Sequence, residues 1–218
     1  MTTSVAFDPS ALDFEKGGGV VTVVAQDAIT GAVLMVASAD REAIEHSIQT
    51  GEMHYRSRSR GLWHKGATSG NVQRIVSLTA DCDGDSLLAL VIPAGPACHS
   101  GSRSCFGDAA SGADALGALD QVVAARATGL ERADSSTAAS PSYTQRLLGD
   151  RNLRLKKLGE ESAELVVALA DADRDRAAEE ASDVLYHTLV AMRALGLGLD
   201  DIRRILFERG QPRLEMPR

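Results

Sequence analysis

All three cysteines of the chain lie close together in the sequence, at Cys82, Cys98 and Cys105. Each stands beside polar or turn-forming residues rather than inside an apolar run, which argues against three unrelated buried thiols. Three thiolates match the ligand number of a catalytic zinc, which keeps its fourth position for water. The adjacent His99 would either complete a closed structural site or act as a general base on a zinc-bound water.

Three aspartates alternate around the first cysteine, at Asp81, Asp83 and Asp85. In a strand they would share one face, with Cys82 on the other face. In a turn they would either surround a hard cation such as Mg²⁺ or form a solvated acidic loop. A calcium loop is excluded, because its twelfth position counted from Asp81 is Ile92 instead of glutamate.

A basic segment precedes these aspartates. Residues 56–71 contain four cations, several hydroxyl groups and glycines, and the only tryptophan of the chain. Such a composition suits binding of a phosphate together with a flat base, and a solvated basic loop would have the same composition. The candidate ligand-binding side chains are Arg58, Trp63, Lys65, Ser69 and Asn71.

Acidic residues recur at helical spacing in the C-terminal half. They are Glu160, Glu161 and Glu164 on one segment, and Glu180 and Asp183 on the next, with His187 one turn beyond. On spacing alone, solvated helix faces paired with arginine and lysine explain them. If the two helices face each other, the carboxylates would repel unless cations fill the space. Mg²⁺ would suit that space, because it takes oxygen ligands and bridges phosphates.

The elements that position these residues differ between the two halves of the chain. β-rich runs at 20–25, 32–37, 53–55, 72–79 and 87–92, with a capped helix at 40–50, predict an α+β domain. Helical patterns dominate 113–127 and 153–209. The sequence therefore predicts a β-rich α+β domain at 1–107, a linker at 108–113 and an all-α domain at 114–218.

Composition excludes several classes of protein. The net charge of −7 argues against a general nucleic-acid binder. No run of 18 apolar residues is present, so we expect no membrane span. The first residues lack a secretory signal pattern, and an odd number of cysteines fits a metal site better than a disulfide framework. We therefore expect a cytoplasmic enzyme.

Residues 10–107 resemble the phosphoribosyl-AMP cyclohydrolase family. The matching segments are SRSR, LWHKG, TSGN, DCDGD and GPACHSGSRSCF. The resemblance implies hydrolytic opening of the adenine ring of phosphoribosyl-AMP between N1 and C6. It implies zinc on the three cysteines, supplied from two subunits of a homodimer, and magnesium on the three aspartates. Ala67, where the family commonly has glutamate, and the short spacer at Gly61 depart from the family pattern.

Residues 114–211 resemble the phosphoribosyl-ATP pyrophosphohydrolase family, through PSYTxxLL, KKxGEExxE and EASDVLYH. The resemblance implies an all-α, MazG-like fold in which helices of two chains pack together. It also implies cleavage of phosphoribosyl-ATP between its α- and β-phosphates. Mg²⁺ would bind Glu161, Glu164, Glu180 and Asp183, and Glu160 would ligate metal or orient the attacking water. The implied substrate contacts are Tyr143, Thr144, Lys156, Lys157 and His187.

The order of the two resemblances is that of fused bifunctional enzymes of histidine biosynthesis, and the C-terminal half would act first. Two alternatives remain open at this point. One is a pyrophosphohydrolase that cleanses the nucleotide pool and carries a zinc-binding appendage. The other is a nucleotide sensor without catalysis. Turnover of phosphoribosyl-ATP through both steps would separate these alternatives from the bifunctional enzyme.

Overall fold

A computed structural model describes residues 5–57, 59, 61–107, 114–132 and 140–210. The chain folds as two compact units, Met1–Ala113 and Asp114–Arg218. The predicted linker at 108–113 lies outside the described residues. No helix in the part of the chain that the structure describes is long and apolar enough to cross a membrane.

The first unit is built on a six-stranded sheet of order β4-β3-β2-β1-β6-β5. Its elements are β1 (Val21–Asp27), β2 (Val33–Ala39), α1 (Arg41–Thr50), β3 (His54–Ser57), β4 (Gly61–His64), β5 (Gln73–Ala80) and β6 (Ser86–Pro93). β1 and β6 pair in parallel at the centre, and the other neighbouring strands pair antiparallel. The sheet therefore brings the loops that follow β4 and β6 into the same unit as the β1–β2 turn.

Alternating burial explains why these segments form strands. Val21, Val23 and Ala25 of β1 are buried, and the residues between them are more exposed. The helix α1 begins where Asp40 accepts a hydrogen bond from the Ala43 amide at 2.9 Å, and it ends at Gly51, whose φ of 71° suits glycine. The prediction of a capped helix between the second and third strands is confirmed.

The second unit contains only helices among its described residues. They are α2 (Ala115–Arg132), α3 (Tyr143–Gly149), α4 (Arg151–Ala170), α5 (Arg174–Arg193) and α6 (Leu199–Gly210). Its core forms around Val123, Leu147 and Val190. The helices α4 and α5 pack along each other, which places the acidic residues of the two helices side by side. The predicted fold classes, a β-rich α+β domain and an all-α domain, are confirmed.

One strand and one α-helix were not predicted. β4 lies inside the basic segment 56–71, in which the sequence predicted no strand. The short helix α3 begins with a capping box, in which the Ser142 hydroxyl accepts from the Gln145 amide and the Gln145 side chain accepts from the Ser142 amide. Both elements carry predicted site residues, so their positions decide the geometry of the sites.

Candidate active sites

A cavity of about 510 Å³ lies in the first unit, beside the end of β4 and the loops that follow β4 and β6. Its volume falls within the range of small-molecule sites. The cavity brings together seven of the predicted residues: Trp63, Lys65, Ser69, Asn71, Cys98, His99 and Cys105. Arg58, another predicted residue, lies outside the described residues. The basic segment and the segment that carries Cys98, His99 and Cys105 thus meet in one cavity.

The two thiols of this cavity interact with each other and differ in their surroundings. The Ser100 hydroxyl donates to Cys98 Sγ at 3.1 Å, and this hydrogen bond lowers the pKa of the Cys98 thiol. Burial, followed by the neighbouring Cys98, raises the pKa of Cys105. His99 Nδ1 lies 3.9 Å from Cys98 Sγ, so the imidazole is within reach of whatever the thiols bind.

Lys65 contributes a buried cation to the wall of this cavity. The residue is 5% exposed, and its ammonium group donates to the Asn71 carbonyl at 3.1 Å. Burial lowers the pKa of Lys65, and the nearby Cys105 acts in the opposite direction. The cavity therefore combines thiols, an imidazole, a cation and an indole, which suits an anionic ligand with an aromatic base.

The aspartates lie in the turn between β5 and β6, away from the cavity lining. One carboxylate oxygen from each of Asp81, Asp83 and Asp85 lies within 4.8 Å of the others. The turn interpretation is therefore correct, and the single-face strand interpretation is wrong. Lys16 Nζ donates to the Asp83 carbonyl at 2.6 Å and lies 3.3 Å from Asp83 Oδ2. This group can hold a cation, and Lys16 now supplies one.

Cys82 lies in the same exposed turn and not in the cavity with the other two cysteines. Among the described residues, no group of three ligand atoms within 4.8 Å contains a cysteine. Within one chain, then, two thiols are brought together and the third is held apart. A three-thiolate site would require Cys82 from a second copy.

A histidine stack that the sequence did not indicate supports β4. His54 and His64 face each other across β3 and β4, with ring centroids 4.4 Å apart and nearly parallel planes. His64 Nε2 and Glu52 Oε2 are 2.8 Å apart, and the stack holds the strand that carries Trp63 and directly precedes Lys65. Both histidines are visible in the sequence, but only the pairing of β3 with β4 shows that their rings stack.

The second site lies on α4 and α5. One carboxylate oxygen from each of Glu161, Glu164 and Glu180 lies within 4.8 Å of the others. Asp183, one turn beyond Glu180, is exposed and lies outside this group. The predicted facing of two acidic helices is therefore present for three of the four carboxylates, and oxygen clusters of this kind suit hard cations.

Cations from the same helices border these carboxylates. Lys156 and Lys157 lie 3.2 and 3.1 Å from the two carboxylate oxygens of Glu160, and the hydrogen bond from Lys157 lowers the pKa of Glu160. Lys157 also lies 3.5 Å from Glu161 Oε1. Arg176, not indicated by the sequence, lies 3.4 Å from Glu180 Oε1. Both interpretations of the acidic residues therefore hold: they form ion pairs along each helix, and three of them also form a cluster between the helices.

An aromatic wall adjoins the cluster. Tyr143 stacks on Tyr186 with ring centroids 6.4 Å apart, and its ring meets the edge of His187 at 6.1 Å. His187 is buried, with Nε2 3.8 Å from Glu161 Oε1, and burial lowers its pKa. Thr144 is also buried, and its hydroxyl interacts with Arg126 and Tyr186 at 2.9 Å each. Tyr143 is thus open to a ligand, whereas Thr144 is engaged inside the unit.

Comparison with known proteins identifies both halves. The phosphoribosyl-AMP cyclohydrolase family matches residues 35–107, and the phosphoribosyl-ATP pyrophosphohydrolase family matches residues 131–210. Histidine biosynthesis bifunctional protein HisIE of Deinococcus radiodurans is 45% identical over 206 residues, which cover 91% of this chain and 92% of that protein.

Two further proteins of the same name are similar over almost their whole length. The protein of Thermus thermophilus is 42% identical over 94% of this chain and 95% of its own. That of Escherichia coli strain K12 is 40% identical over 92% of this chain and 96% of its own. Enzymes of this kind are metal-dependent and act on small molecules. The chain therefore belongs to the family of bifunctional phosphoribosyl-AMP cyclohydrolase and phosphoribosyl-ATP pyrophosphohydrolase enzymes of histidine biosynthesis.

Proposed function

We propose that the two reactions of this enzyme take place at the two separate sites described above. Residues 114–218 would convert phosphoribosyl-ATP to phosphoribosyl-AMP and pyrophosphate. Residues 1–107 would then open the adenine ring of phosphoribosyl-AMP between N1 and C6. One observation carries the proposal. A cavity with thiols, an imidazole and an indole lies in one compact unit, and a carboxylate group on two packed helices lies in the other.

In the first unit, Cys98 and Cys105 would hold zinc together with Cys82 of a second copy. Thiolates are preferred zinc ligands, and zinc in such a site supplies Lewis acidity and a water of lowered pKa. The separation of Cys82 from the cavity supports a site shared between two chains. We therefore propose that the active enzyme is a homodimer.

The remaining residues of the cavity would bind and orient phosphoribosyl-AMP. The Trp63 indole offers a face for the adenine ring, and the buried Lys65 offers charge to the phosphate, together with Arg58. Ser69 and Asn71 line the same cavity and would orient the ribose phosphate. His99 would accept the proton of the attacking water and deliver it to the ring nitrogen that leaves.

The aspartate turn would hold magnesium through Asp81, Asp83 and Asp85. Its carboxylates satisfy the preference of Mg²⁺ for oxygen ligands. The ion would displace Lys16, whose ammonium group now neutralises part of the turn. The donor set fits a hard cation, whereas the cavity thiols fit zinc, so the first unit would use both metals.

In the second unit, Glu161, Glu164, Glu180 and Asp183 would hold Mg²⁺, which neutralises phosphate charge. Glu160 would orient the attacking water or join the metal ligands. Lys156 and Lys157 would turn from Glu160 toward the phosphates of phosphoribosyl-ATP, and His187 would support Glu161. Tyr143, 42% exposed, would offer a face to the base, with Thr144 behind it.

Apolar side chains on the helices support pairing of two chains in this unit as well. Val166 and Leu169, three positions apart on α4, are 65% and 62% exposed, and an exposed apolar patch on a helix is typical of an interface. Three free thiols suit a reducing compartment, so we propose a cytoplasmic enzyme. The net charge of −7 gives no reason to expect nucleic acid as a partner.

A two-step assay with Cys98→Ser tests the proposal. Supplied with phosphoribosyl-ATP, this protein should release pyrophosphate, accumulate phosphoribosyl-AMP and form no ring-opened product. It should also lose its zinc, whereas the wild-type protein should hold zinc in stoichiometric amount and lose it toward acid pH, as thiolates protonate. If light scattering at the assay concentration showed a monomer and this monomer were active, the shared site would be contradicted. Full zinc occupancy in the variant would contradict the ligand assignment.

A further inference from the structure

The segment that carries Cys98, His99 and Cys105 contains no helix or strand. We call residues 97–106 the thiol loop. A metal ligand set must be held to within a fraction of an ångström to bind tightly, and a loop without regular structure cannot supply this by itself. The bonds that tie the thiol loop to the sheet therefore decide how well its thiols are placed.

The end of the thiol loop is bound to the backbone of β2. The Cys105 amide donates to the Leu34 carbonyl at 2.8 Å, and the Ser104 hydroxyl donates to the Val33 carbonyl at 2.7 Å. These two bonds fix Cys105 against a central region of the sheet. They do not reach Cys98, at the other end of the loop.

Arg103 joins both ends of the thiol loop. Its carbonyl accepts from the Ala97 amide at 3.1 Å, and the Ser102 carbonyl accepts from the Cys98 amide at the same distance. Its guanidinium group lies 3.0 Å from Oδ2 of Asp27, the last residue of β1. A displacement of Arg103 would therefore move the backbone on which Cys98 depends.

Asp27 is an unusual anchor because its carboxylate is buried, with the side chain 2% exposed. Its Oδ1 accepts from the amides of Ile29 and Thr30 at 2.9 and 3.2 Å, which makes the turn rigid. Its Oδ2 is left for Arg103. A buried charge is tolerated only when it is paired and hydrogen-bonded. Here Oδ1 is hydrogen-bonded by the turn amides, and Oδ2 is paired with Arg103 of the thiol loop.

We propose that Asp27 and Arg103 form a positioning pair that sets the separation of Cys98 and Cys105. The inference rests on the proposed function, since it assumes that these thiols bind zinc. In the proposed role, Arg103 and Asp27 act on the thiols through the loop backbone. Without the pair, the sheet core and the bonds of the thiol loop to β2 remain, but the loop loses the side-chain contact that ties Arg103 to Asp27.

The test compares full-length Arg103→Met and Asp27→Asn proteins with wild type. Zn²⁺ affinity is measured by competition with a chelator, and Co²⁺ is added to the metal-free proteins to record the thiolate charge-transfer and ligand-field bands. Loss of outer-shell support weakens metal binding by roughly 10- to 100-fold, and we expect this loss in both variants, with altered cobalt bands. The zinc affinity of Arg103→Lys should lie between those of wild type and Arg103→Met, because lysine keeps the charge but not the planar guanidinium group.

Arg56→Met is the matched control. It breaks an ion pair with Asp40 of 3.2 Å in the same unit, and the Arg56 side chain is 41% exposed against 45% for Arg103. We expect wild-type zinc affinity and cobalt bands in this control. If Arg56→Met lost as much zinc affinity as Arg103→Met, the loss would reflect general destabilisation of the unit, and the inference would be overturned.

The outcomes separate the inference from the function on which it rests. If wild-type protein binds no zinc through its thiols, the proposed zinc site fails and the inference falls with it. If wild type binds zinc and both pair variants match it in affinity and cobalt bands, only the inference is wrong. Should Arg103→Met fail to fold, Asp27→Asn decides, because it keeps an oxygen for the turn amides.

Discussion

Glu161→Gln removes one charge from the carboxylate group on α4 and α5 and preserves the shape of the side chain. The ligand atoms of Glu161, Glu164 and Glu180 lie within 4.8 Å. At that distance two unit charges repel by about 0.9 kcal/mol in bulk water and about 3.5 kcal/mol at an effective dielectric constant of 20. The change relieves two such repulsions and loses the charge attraction to Lys157 at 3.5 Å. His187 Nε2, 3.8 Å from Glu161 Oε1, keeps an uncharged oxygen as its neighbour. The metal-free variant should therefore be at least as stable as wild type.

Addition of Mg²⁺ should reverse this order. At a concentration of about 100 times its Kd, a ligand stabilises the folded state by about 2.7 kcal/mol. For a helical unit of this size, that corresponds to a rise in Tm of about 10 °C or more. Glu161→Gln should lose most of this rise. Pyrophosphate release should fall by about 10²- to 10³-fold or more, because the ion supplies several kcal/mol and each 1.36 kcal/mol is about tenfold.

The assay follows pyrophosphate from phosphoribosyl-ATP and ring-opened product from supplied phosphoribosyl-AMP, with Tm from far-ultraviolet circular dichroism. Ring opening should be nearly unchanged in Glu161→Gln. Glu179→Gln is the control, since it removes the same charge from an exposed position beside Glu180 and should retain both activities. Retention of pyrophosphate release and of the Mg²⁺ stabilisation by Glu161→Gln would refute the metal assignment. Loss of both activities in a folded dimer would refute the two-site mechanism.

Three further outcomes are expected. Burial lowers the pKa of His54, so the contribution of its neutral ring to stability is complete above about pH 6.5 and is lost as the pH falls below that value. In His54→Phe, the unfolding free energy measured with urea should therefore decline less toward acid pH; an equal decline in the variant and the wild type would contradict this. Lys16→Met should tighten Mn²⁺ binding to the Asp83 turn about two- to fivefold, the size of an exposed ion pair, in calorimetry on a Glu161→Gln background; equal affinities would show that Lys16 does not compete. Thr144→Val should lower the unfolding free energy in urea by about 1–3 kcal/mol, because the two groups that bind its hydroxyl lose their partner; an unchanged midpoint would refute the buried network.

Local sequence rules account for the elements that have local causes. The cap at Asp40 and the left-handed glycine at position 51 define α1 within one turn at each end, and both signals lie in adjacent residues. The alternation of buried and exposed residues predicts β1 in the same way. β4 has no such signal. Its four residues are all partly buried, and only pairing with β3, which stacks His54 on His64, makes it a strand.

The same distinction applies to the thiol site. Chain spacing grouped the three cysteines, and the structure brings only Cys98 and Cys105 into one cavity. Asp27 and Arg103 stand 76 positions apart, and neither belongs to a metal-ligand pattern. No periodicity or motif connects such residues, because their contact depends on how the β1–β2 turn and the thiol loop meet in the folded unit.

For the helical site, the spacing of the acidic residues allowed two interpretations, ion-paired helix faces and a cluster that binds a cation. The fold is compatible with both. Ion pairs between residues three or four positions apart lie along one helix, so any helical sequence with this pattern forms them. Proximity of Glu161 to Glu180 requires α4 to pack against α5, which depends on the apolar faces of both helices. The ion pairs then have a physical consequence. Glu161 pairs with Lys157 and Glu180 pairs with Arg176, which partly offsets repulsion within the cluster. These two cations are the groups that a polyphosphate would attract away as Mg²⁺ replaces them.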